Sequence, residues 1–160
     1  MGSHEDRAIR EQANALLRAG QIADADVLLT EHTKSRPNDH EALAMRAHIA
    51  SMQRRLNEAE TLLMRAIRGD RRRADYHALL AEVLTTSGRH RAAIGRYDTA
   101  LKLQNDYDAA HAGKAETYLR MGKVDRAIAS LEKAPDTPIT AIPKLRSLMR
   151  KHKYDDAIAV

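Results

Sequence analysis

Small residues recur along this chain at a fixed interval of 34 positions. One ladder of alanines consists of Ala13, Ala47, Ala81 and Ala115. A second ladder begins twelve residues later and consists of Ala25, Ala59, Ala93 and Ala127. A constant period of this length is typical of helix–turn–helix repeats that stack on one another, each repeat covering the apolar face of the next. Such arrays build extended binding surfaces more often than reaction chambers.

The residues around the ladders predict a pair of helices in each period. In residues 75–88 the apolar face is formed at i, i+3, i+4 and i+7 by His77, Leu80, Ala81 and Leu84. Residues 90–103 present a second such face, formed by Ala93, Tyr97, Ala100 and Leu101. We expect Ala81 and Ala93 to lie where the two helices cross closely, since a larger side chain would force them apart.

The turn inside each pair is also marked. Gly20, Gly88 and Gly122 share one register, as residues that can end a helix in the left-handed conformation at little cost. Arg54 occupies that position in the second repeat, so its turn must either close differently or be strained.

Composition limits the chemistry that the chain can carry. It has 160 residues, 43% apolar and 31% charged, with a net charge of +5, which is typical of a soluble globular protein. It contains no cysteine, which excludes thiolate metal sites and disulfides. No apolar run approaches the ~18 residues of a membrane helix, and residues 1–20 contain no secretory leader. We therefore expect a cytoplasmic protein. The first four residues, Met1-Gly2-Ser3-His4, are typical of an expression-vector remnant.

The ladders define the organisation of the chain. We predict a disordered start over residues 1–5, then four repeats over 6–39, 40–73, 74–107 and 108–141. Residues 142–160 should form a partial fifth repeat, which is either truncated or has its apolar end covered by another surface.

Prolines interrupt the register after the fourth repeat. Pro135, Pro138 and Pro143 predict that a helix ends near Ala134 and that the next runs from Pro143 to His152. Residues 153–158 then predict another turn and helix start, with Asp155-Asp156 as favourable N-terminal charge.

The pattern resembles the tetratricopeptide repeat family. The third repeat matches it at His77, Leu80, Ala81, Leu84, Gly88, Ala93, Tyr97 and Ala100. The fourth matches at His111, Ala115, Tyr118, Gly122, Ala127, Leu131 and Ala134, and the first at Ala13, Leu16, Gly20, Ala25, Leu29 and Pro37. The departures are Gln12, Arg46 and Lys114, where the family prefers leucine, and these should loosen the inner packing. The resemblance implies an all-α solenoid of about ten helices, arranged as antiparallel pairs in a right-handed superhelix.

In that family the first helices of successive repeats line a concave groove that receives a peptide or a helix. Transfer of those positions gives a candidate groove formed by Arg10, Asn14, Arg18, Glu41, Met45, His48, Met52, Asp75, Leu79, Glu82, Glu116 and Arg120. The groove would be basic at its start and acidic in its middle. Either its ligand has complementary charges, or these are ordinary solvated helix positions.

One known use of the family is not expected here. Members that bind the acidic tails of chaperones do so through five basic and amide positions. The first two correspond to Arg10 and Asn14, which are tolerable, but the others correspond to Met45, Asp75 and Leu79. Because Asp75 would repel a carboxylate, we predict no binding of chaperone tails.

Other kinds of site receive little support. Of the eight histidines, His77 and His111 share one repeat position, and we interpret them, like His32 and His90, as packing residues; no metal site or cofactor is predicted. The basic cluster of Arg65, Arg68 and residues 71–73 has only Tyr76 beside it, whereas binders of single-stranded nucleic acid usually supply several aromatics. We therefore expect no nucleic-acid partner.

The sequence thus predicts a protein-interaction scaffold without catalysis of its own. One alternative is the N-terminal recognition arm of a larger enzyme, such as a sulfotransferase or a glycosyltransferase, with its chemistry beyond Val160. A weaker alternative is an RNA-associated repeat, whose affinity would fall steeply with salt. The C-terminal helices could also mediate self-association.

Overall fold

A computed structural model describes residues 4–158, except for the side chains of residue 154 and residues 156–158. This part of the chain contains nine helices and no strand. They are α1 (His4–Arg18), α2 (Ile22–Ser35), α3 (His40–Met52), α4 (Leu56–Gly69), α5 (Ala74–Thr86), α6 (His90–Leu103), α7 (Asp108–Arg120), α8 (Val124–Glu132) and α9 (Pro138–Ile158). The expectations for residues 1–3 and for residues 159–160 lie outside the described residues. His4 and Glu5, which the prediction placed in a disordered start, are the first two residues of α1.

The helix boundaries repeat with the period of the alanine ladders. The second helices begin at Ile22, Leu56, His90 and Val124, each 34 residues after the last. Each helix packs on its neighbours in the chain, and α5 also contacts α3 and α7. The first helices therefore line one side of an α-solenoid, and the second helices form the other side.

Both alanine ladders are buried, as predicted for the helix crossings. All eight alanines have no exposed surface. The largest buried cluster joins α3 through α7 and is mainly aliphatic, with Leu63, Leu80 and Val83 almost fully buried and Tyr76 and Tyr97 as its aromatic members. The small residues allow the helices to approach closely, and the surrounding leucines fill the space between repeats.

All four turns inside the pairs share one geometry. The residue after each left-handed position donates its amide to a carbonyl five residues earlier, as in a Schellman motif. These hydrogen bonds are Gln21 to Leu16 (2.9 Å), Arg55 to Ala50 (2.8 Å), Arg89 to Leu84 (2.9 Å) and Lys123 to Tyr118 (2.9 Å). Arg54 adopts φ 62°, close to the 72–79° of Gly20, Gly88 and Gly122. The second turn is therefore strained and does not close differently.

His77 and His111 are packing residues with a second task. Both are 5% exposed, and each hydrogen-bonds through Nε2 to a carbonyl six residues earlier. The partners are the carbonyls of Arg71 (3.1 Å) and Asn105 (2.8 Å), themselves one period apart. The imidazole thus fixes the loop before its own helix while filling the place of an apolar residue.

A helix ends near Ala134 as predicted, since α8 ends at Glu132, but the predicted bounds of the last helix were wrong. Helix α9 begins at Pro138 and runs without interruption to Ile158, passing through Pro143. Thr137 precedes the helix and donates its amide to Thr140 Oγ1 (3.1 Å), which is half of a capping box. Pro138 takes the first helical position, where a missing amide costs nothing. Pro138 therefore starts the last helix, five residues before the predicted start at Pro143.

Two further expectations are corrected with it. Residues 153–158 continue α9, so no turn occurs there, and Asp155 lies in the C-terminal part of a helix and not at an N-terminus. The described residues form nine helices where about ten were expected.

Two of the three polar departures from the family pattern, Arg46 and Lys114, are held by ion pairs. Arg46 is half-buried, hydrogen-bonds to Thr33 Oγ1 (3.0 Å) and lies 3.4 Å from Glu58. Lys114 pairs with Asp98 (2.6 Å), and Gln12 is exposed.

Candidate functional site

The concave side of the solenoid forms a groove of about 870 Å³. Ten of the twelve residues predicted for the groove line it, namely Arg10, Asn14, Glu41, Met45, His48, Asp75, Leu79, Glu82, Glu116 and Arg120. Arg18 and Met52, at the C-terminal ends of α1 and α3, lie outside the lining, although Met52 is 54% exposed. The volume lies within the ~300–1,000 Å³ typical of ligand sites.

Sequence reasoning missed part of the groove lining, because it considered only first helices of the four repeats. The missed residues come from loops, from a second helix, from α9 and from α5. They are Arg73, Tyr76, Thr85, Tyr97, Tyr107, Pro143 and Arg146. Three of the chain's five tyrosines therefore face this surface. The available signal was Gly113, a glycine in the middle of a first helix.

Gly113 makes room for Tyr97. A Cβ atom at Gly113 would lie 2.5 Å from Cζ and 2.8 Å from Cε1 of the Tyr97 ring, so the absence of a side chain allows this residue of α6 to reach the groove. The ring is 3% exposed. Burial raises the pKa of Tyr97, and the negative charge of Glu82 raises it further, while a hydrogen bond with Thr85 acts in the opposite direction.

A buried polar chain fixes the floor beneath Tyr97. Thr85 on α5 and Thr117 on α7 share a hydrogen bond of 2.8 Å. Each hydroxyl also lies within hydrogen-bond distance of the carbonyl four residues earlier in its own helix. For Thr117 that carbonyl belongs to Gly113 (2.8 Å). The floor is thereby tied to two neighbouring first helices.

The charges at the start of the groove form a continuous ladder of ion pairs. Arg10 lies 2.9 Å from Glu41, Glu41 lies 3.1 Å from Arg73, and Arg73 lies 2.8 Å from Asp75. The Arg73 guanidinium also lies 4.5 Å from the centre of the Tyr76 ring. Since every arginine here has acidic partners, this end does not present free cationic groups.

The far end of the groove carries an excess of positive charge. Glu116 pairs with Arg146 of α9 (2.7 Å) and, more distantly, with Arg120 (3.5 Å). Arg150 donates to the carbonyl of Leu119 (2.9 Å), which adds a second link between α9 and α7. Helix α9 therefore forms the last wall of the groove.

Glu82 lies between these two ends and differs from the other groove acids. Its side chain is exposed, and within residues 4–158 no ion pair or hydrogen bond holds its carboxylate. Its charge nevertheless acts on Tyr97, as described above, and on Tyr107. Burial raises the pKa of Tyr107, and Asp75, Asp108 and Glu82 raise it further.

A second cluster surrounds Asp39, at the turn between α2 and α3. Asp39 caps α3 by accepting from the Ala42 amide (3.1 Å), and its other oxygen accepts from Arg10 (2.6 Å) and lies 2.9 Å from His32 Nε2. Burial opposes ionisation of Asp39, but the hydrogen bonds from His32, Ala42 and Arg10 outweigh it and lower the pKa. The sequence interpretation treated His32 as a packing residue and missed this network.

Asp6 brings a second carboxylate to His32, at 3.9 Å, so three potential metal ligands converge. However, Arg10 forms an ion pair with Asp39, and Arg36 lies 3.4 Å from Asp6. The guanidinium groups balance the carboxylates, and the cluster is therefore explained as an ion-pair network that joins α1, α2 and α3.

The arginines of the basic cluster differ in their contacts. Arg73 is bound within the groove, and Arg65 hydrogen-bonds to the Pro37 carbonyl (3.1 Å). Arg68, Arg71 and Arg72 are exposed.

The outer face of α9 is apolar and uncovered in the described chain. Its exposed side chains, each at least half exposed, are Ile139, Ile142, Leu145, Leu148 and Met149. Among the described helices, none combines the length and the apolar character needed to cross a bilayer.

Comparison with known families identifies the repeat. A sequence profile described as "Tetratricopeptide repeat" matches residues 16–83 and, directly afterwards, residues 84–151. The chain belongs to the tetratricopeptide repeat family. Each match is twice the 34-residue period, so together the two matches cover most of the chain. A comparison with curated proteins finds no match.

Solved structures of tetratricopeptide repeat proteins share the fold. MamA superposes with a TM-score of 0.73 at 20% identity, over 92% of this chain and 88% of that one. TTC0263, a thermophilic TPR protein of Thermus thermophilus, gives 0.78 at 20% identity, over 96% and 86%. At this identity the similarity shows the fold alone.

A similar structure also occurs within an enzyme. The O-GlcNAc transferase of Thermobaculum terrenum superposes with a TM-score of 0.68 at 28% identity over 70% of this chain. The region of similarity covers only 22% of the transferase chain.

Proposed function

We propose that this protein is an interaction scaffold that binds a peptide or a helix of its partner in the concave groove and performs no chemistry itself. The observation that carries the proposal is the groove, to which every first helix and α9 contribute side chains. Its surface combines apolar residues such as Met45 and Leu79 with charged groups, and most of those charges already have partners. A surface of this kind offers shape, apolar contact and a few directional charges to a bound segment.

The test is a selection of groove-dependent peptides. A random peptide library displayed on phage is selected on the 160-residue chain, and enriched sequences are synthesised and titrated by fluorescence anisotropy. The double reversal Glu82→Lys with Glu116→Lys should abolish binding while circular dichroism shows unchanged helicity. The matched control, Glu31→Lys with Glu132→Lys, changes the same charge on exposed residues of α2 and α8 and should bind normally. Equal affinity for both double variants would place the partner on another surface.

A second candidate is a recognition arm attached to an enzyme. The similarity to the Thermobaculum terrenum O-GlcNAc transferase favours it, since that structure combines such a repeat region with a much longer chain. Sequencing the native gene through the codons after Val160 tests it. A continuing frame that encodes a transferase domain supports the arm, and an immediate stop codon contradicts it.

The outer face of α9 supports a proposal of self-association. Leu145 is 62% exposed at the centre of that face, and a second copy could cover it. Sedimentation of the chain and of Leu145→Arg decides the question, since only a dimer that uses α9 should dissociate on substitution. A wild-type chain that stays monomeric at high concentration contradicts the proposal.

A further inference from the structure

The ion pairs of the groove determine which ligand charge it can satisfy. At the start, Arg10 and Arg73 are shared among Asp39, Glu41 and Asp75, so a ligand carboxylate would have to displace bonds already made. Each such exchange replaces one charged hydrogen bond with another and yields little net affinity.

Glu82 is the exception, because its carboxylate is exposed and has no protein partner in the described chain. Arg120 is the neighbouring cation along the groove, and its charge acts on Tyr97 as well, but it forms its ion pair with Glu116, at 3.5 Å. An ionised carboxylate accepts hydrogen bonds and donates none. A ligand group that pairs with Glu82 must therefore be a donor, and a cationic donor binds most strongly.

The tyrosines beside Glu82 narrow the choice of cation. Tyr97 and Tyr107 both line the groove, and both lie near enough to Glu82 for its charge to affect their ionisation. Since Tyr97 is 3% exposed, only the half-buried Tyr107 offers part of its ring to a ligand. Aromatic faces favour the planar guanidinium and the ammonium group, and Arg73 on Tyr76 shows such a contact in the same groove. A metal ion is not favoured, since one carboxylate with two phenols lacks the three or four converging ligands of a metal site.

We infer that the groove selects a peptide segment that presents an arginine or lysine side chain to Glu82, in the part of the groove that Tyr107 also lines. The inference rests on the function proposed above and adds the chemistry of the ligand. Positive charge supplied by Arg120 and Arg146 further along the groove favours a neutral or acidic residue in the next part of the peptide.

The probe is a set of three fluorescein-labelled hexapeptide mixtures that differ at one fixed position. That position carries arginine, citrulline or glutamate, and the others are random uncharged residues. Citrulline has the shape of arginine without its charge, so their comparison isolates the ion pair. We expect the arginine mixture to bind about fivefold more tightly than the citrulline mixture, as one partly solvated charged hydrogen bond implies, and the glutamate mixture to bind most weakly.

Two neutral variants localise the effect. Glu82→Gln keeps the size of the side chain and should bring the arginine and citrulline mixtures to equal affinity. Glu132→Gln removes the same charge from an exposed site on α8 and should retain the preference. Equal affinities in the wild-type protein, or a preference that persists in Glu82→Gln, would overturn the inference.

The outcomes separate this inference from the proposed function. If peptides bind in a way that the Glu82→Lys and Glu116→Lys reversal abolishes, but without a preference for arginine, the scaffold stands and the cation inference fails. If neither the mixtures nor the displayed library yields groove-dependent binding, both proposals fail.

Discussion

Gly113 and Gly95 allow the packing of the groove floor to be tested with two identical substitutions. Both glycines lie inside helices, in α7 and α6, and neither has a positive φ. A Cβ at Gly113 would enter the Tyr97 ring, at 2.5 Å from Cζ, whereas a Cβ at Gly95 would meet nothing within 4 Å. Since both variants gain the same helix propensity, their difference in stability measures the contact with Tyr97.

The magnitude follows from two opposing effects. Alanine in place of a helical glycine stabilises by about 0.8–1.0 kcal/mol, and this should be the whole effect of Gly95→Ala. Forcing a methyl group into a packed site costs about 1–3 kcal/mol, and the 3% exposure of Tyr97 with its bond to Thr85 leaves the ring little room to move. Gly113→Ala should therefore be destabilised by up to about 2 kcal/mol, after the propensity gain is subtracted.

Thermal and urea unfolding, followed by circular dichroism, provide the assay. For a chain of this size 1 kcal/mol corresponds to about 2–4 °C in Tm, so Gly95→Ala should melt above the wild-type protein and Gly113→Ala below or near it, with the two variants separated by at least about 2 °C. Equal Tm values for the two variants would show that Tyr97 does not occupy the space beside Gly113, and the account of the groove floor would be wrong.

Three further predictions address the turns, the helix crossings and the Asp39 network. Arg54→Gly should raise the free energy of unfolding, measured in urea, by about 1 kcal/mol, because glycine adopts the left-handed conformation without strain. Gly88→Ala should lower it by a similar amount, and unchanged stability in both variants would refute the strain. Ala81→Leu should destabilise by about 1–3 kcal/mol, and an unchanged Tm would contradict the close crossing. Asp39→Asn keeps a capping side chain but should lose about 1–3 kcal/mol at neutral pH. Because the folded pKa of Asp39 is lowered, this difference should persist above about pH 4 and vanish as the pH falls through the folded pKa; a constant difference down to acid would refute it.

Much of the fold could be predicted because a period fixes several levels of structure at once. The ladders through Ala81 and Ala93 identify the buried face of each helix, and the opposite face of the first helices then becomes the groove. Contacts between repeats also follow the period, since Thr85 bonds Thr117 and Arg73 pairs with Glu41 across about one repeat length. Ion pairs of this kind could have been sought in the sequence at separations near 30 residues.

The features that escaped prediction depend on local events outside the repeat. Helix α9 begins four residues before residue 142, where the 34-residue period places the start of the fifth repeat. The earlier start arises because Thr137 and Thr140 cap the helix and Pro138 needs no amide. Tyr97 belongs to a second helix and reaches the groove only through the gap at Gly113, which becomes visible when two helices are placed together. The repeat pattern describes an average repeat, and the specificity of this groove depends on such deviations from it.

The most direct test of the groove as the binding surface is to map it by NMR. An isotope-labelled sample of the whole chain is titrated with one peptide enriched in the displayed library, and the amide shifts are followed. The account predicts the largest shifts in first-helix residues that line the groove, such as Met45, Leu79 and Glu82, with small changes at Glu31 and Glu132. Shifts concentrated on the second helices, or on the outer face of α9 around Leu145, would contradict it.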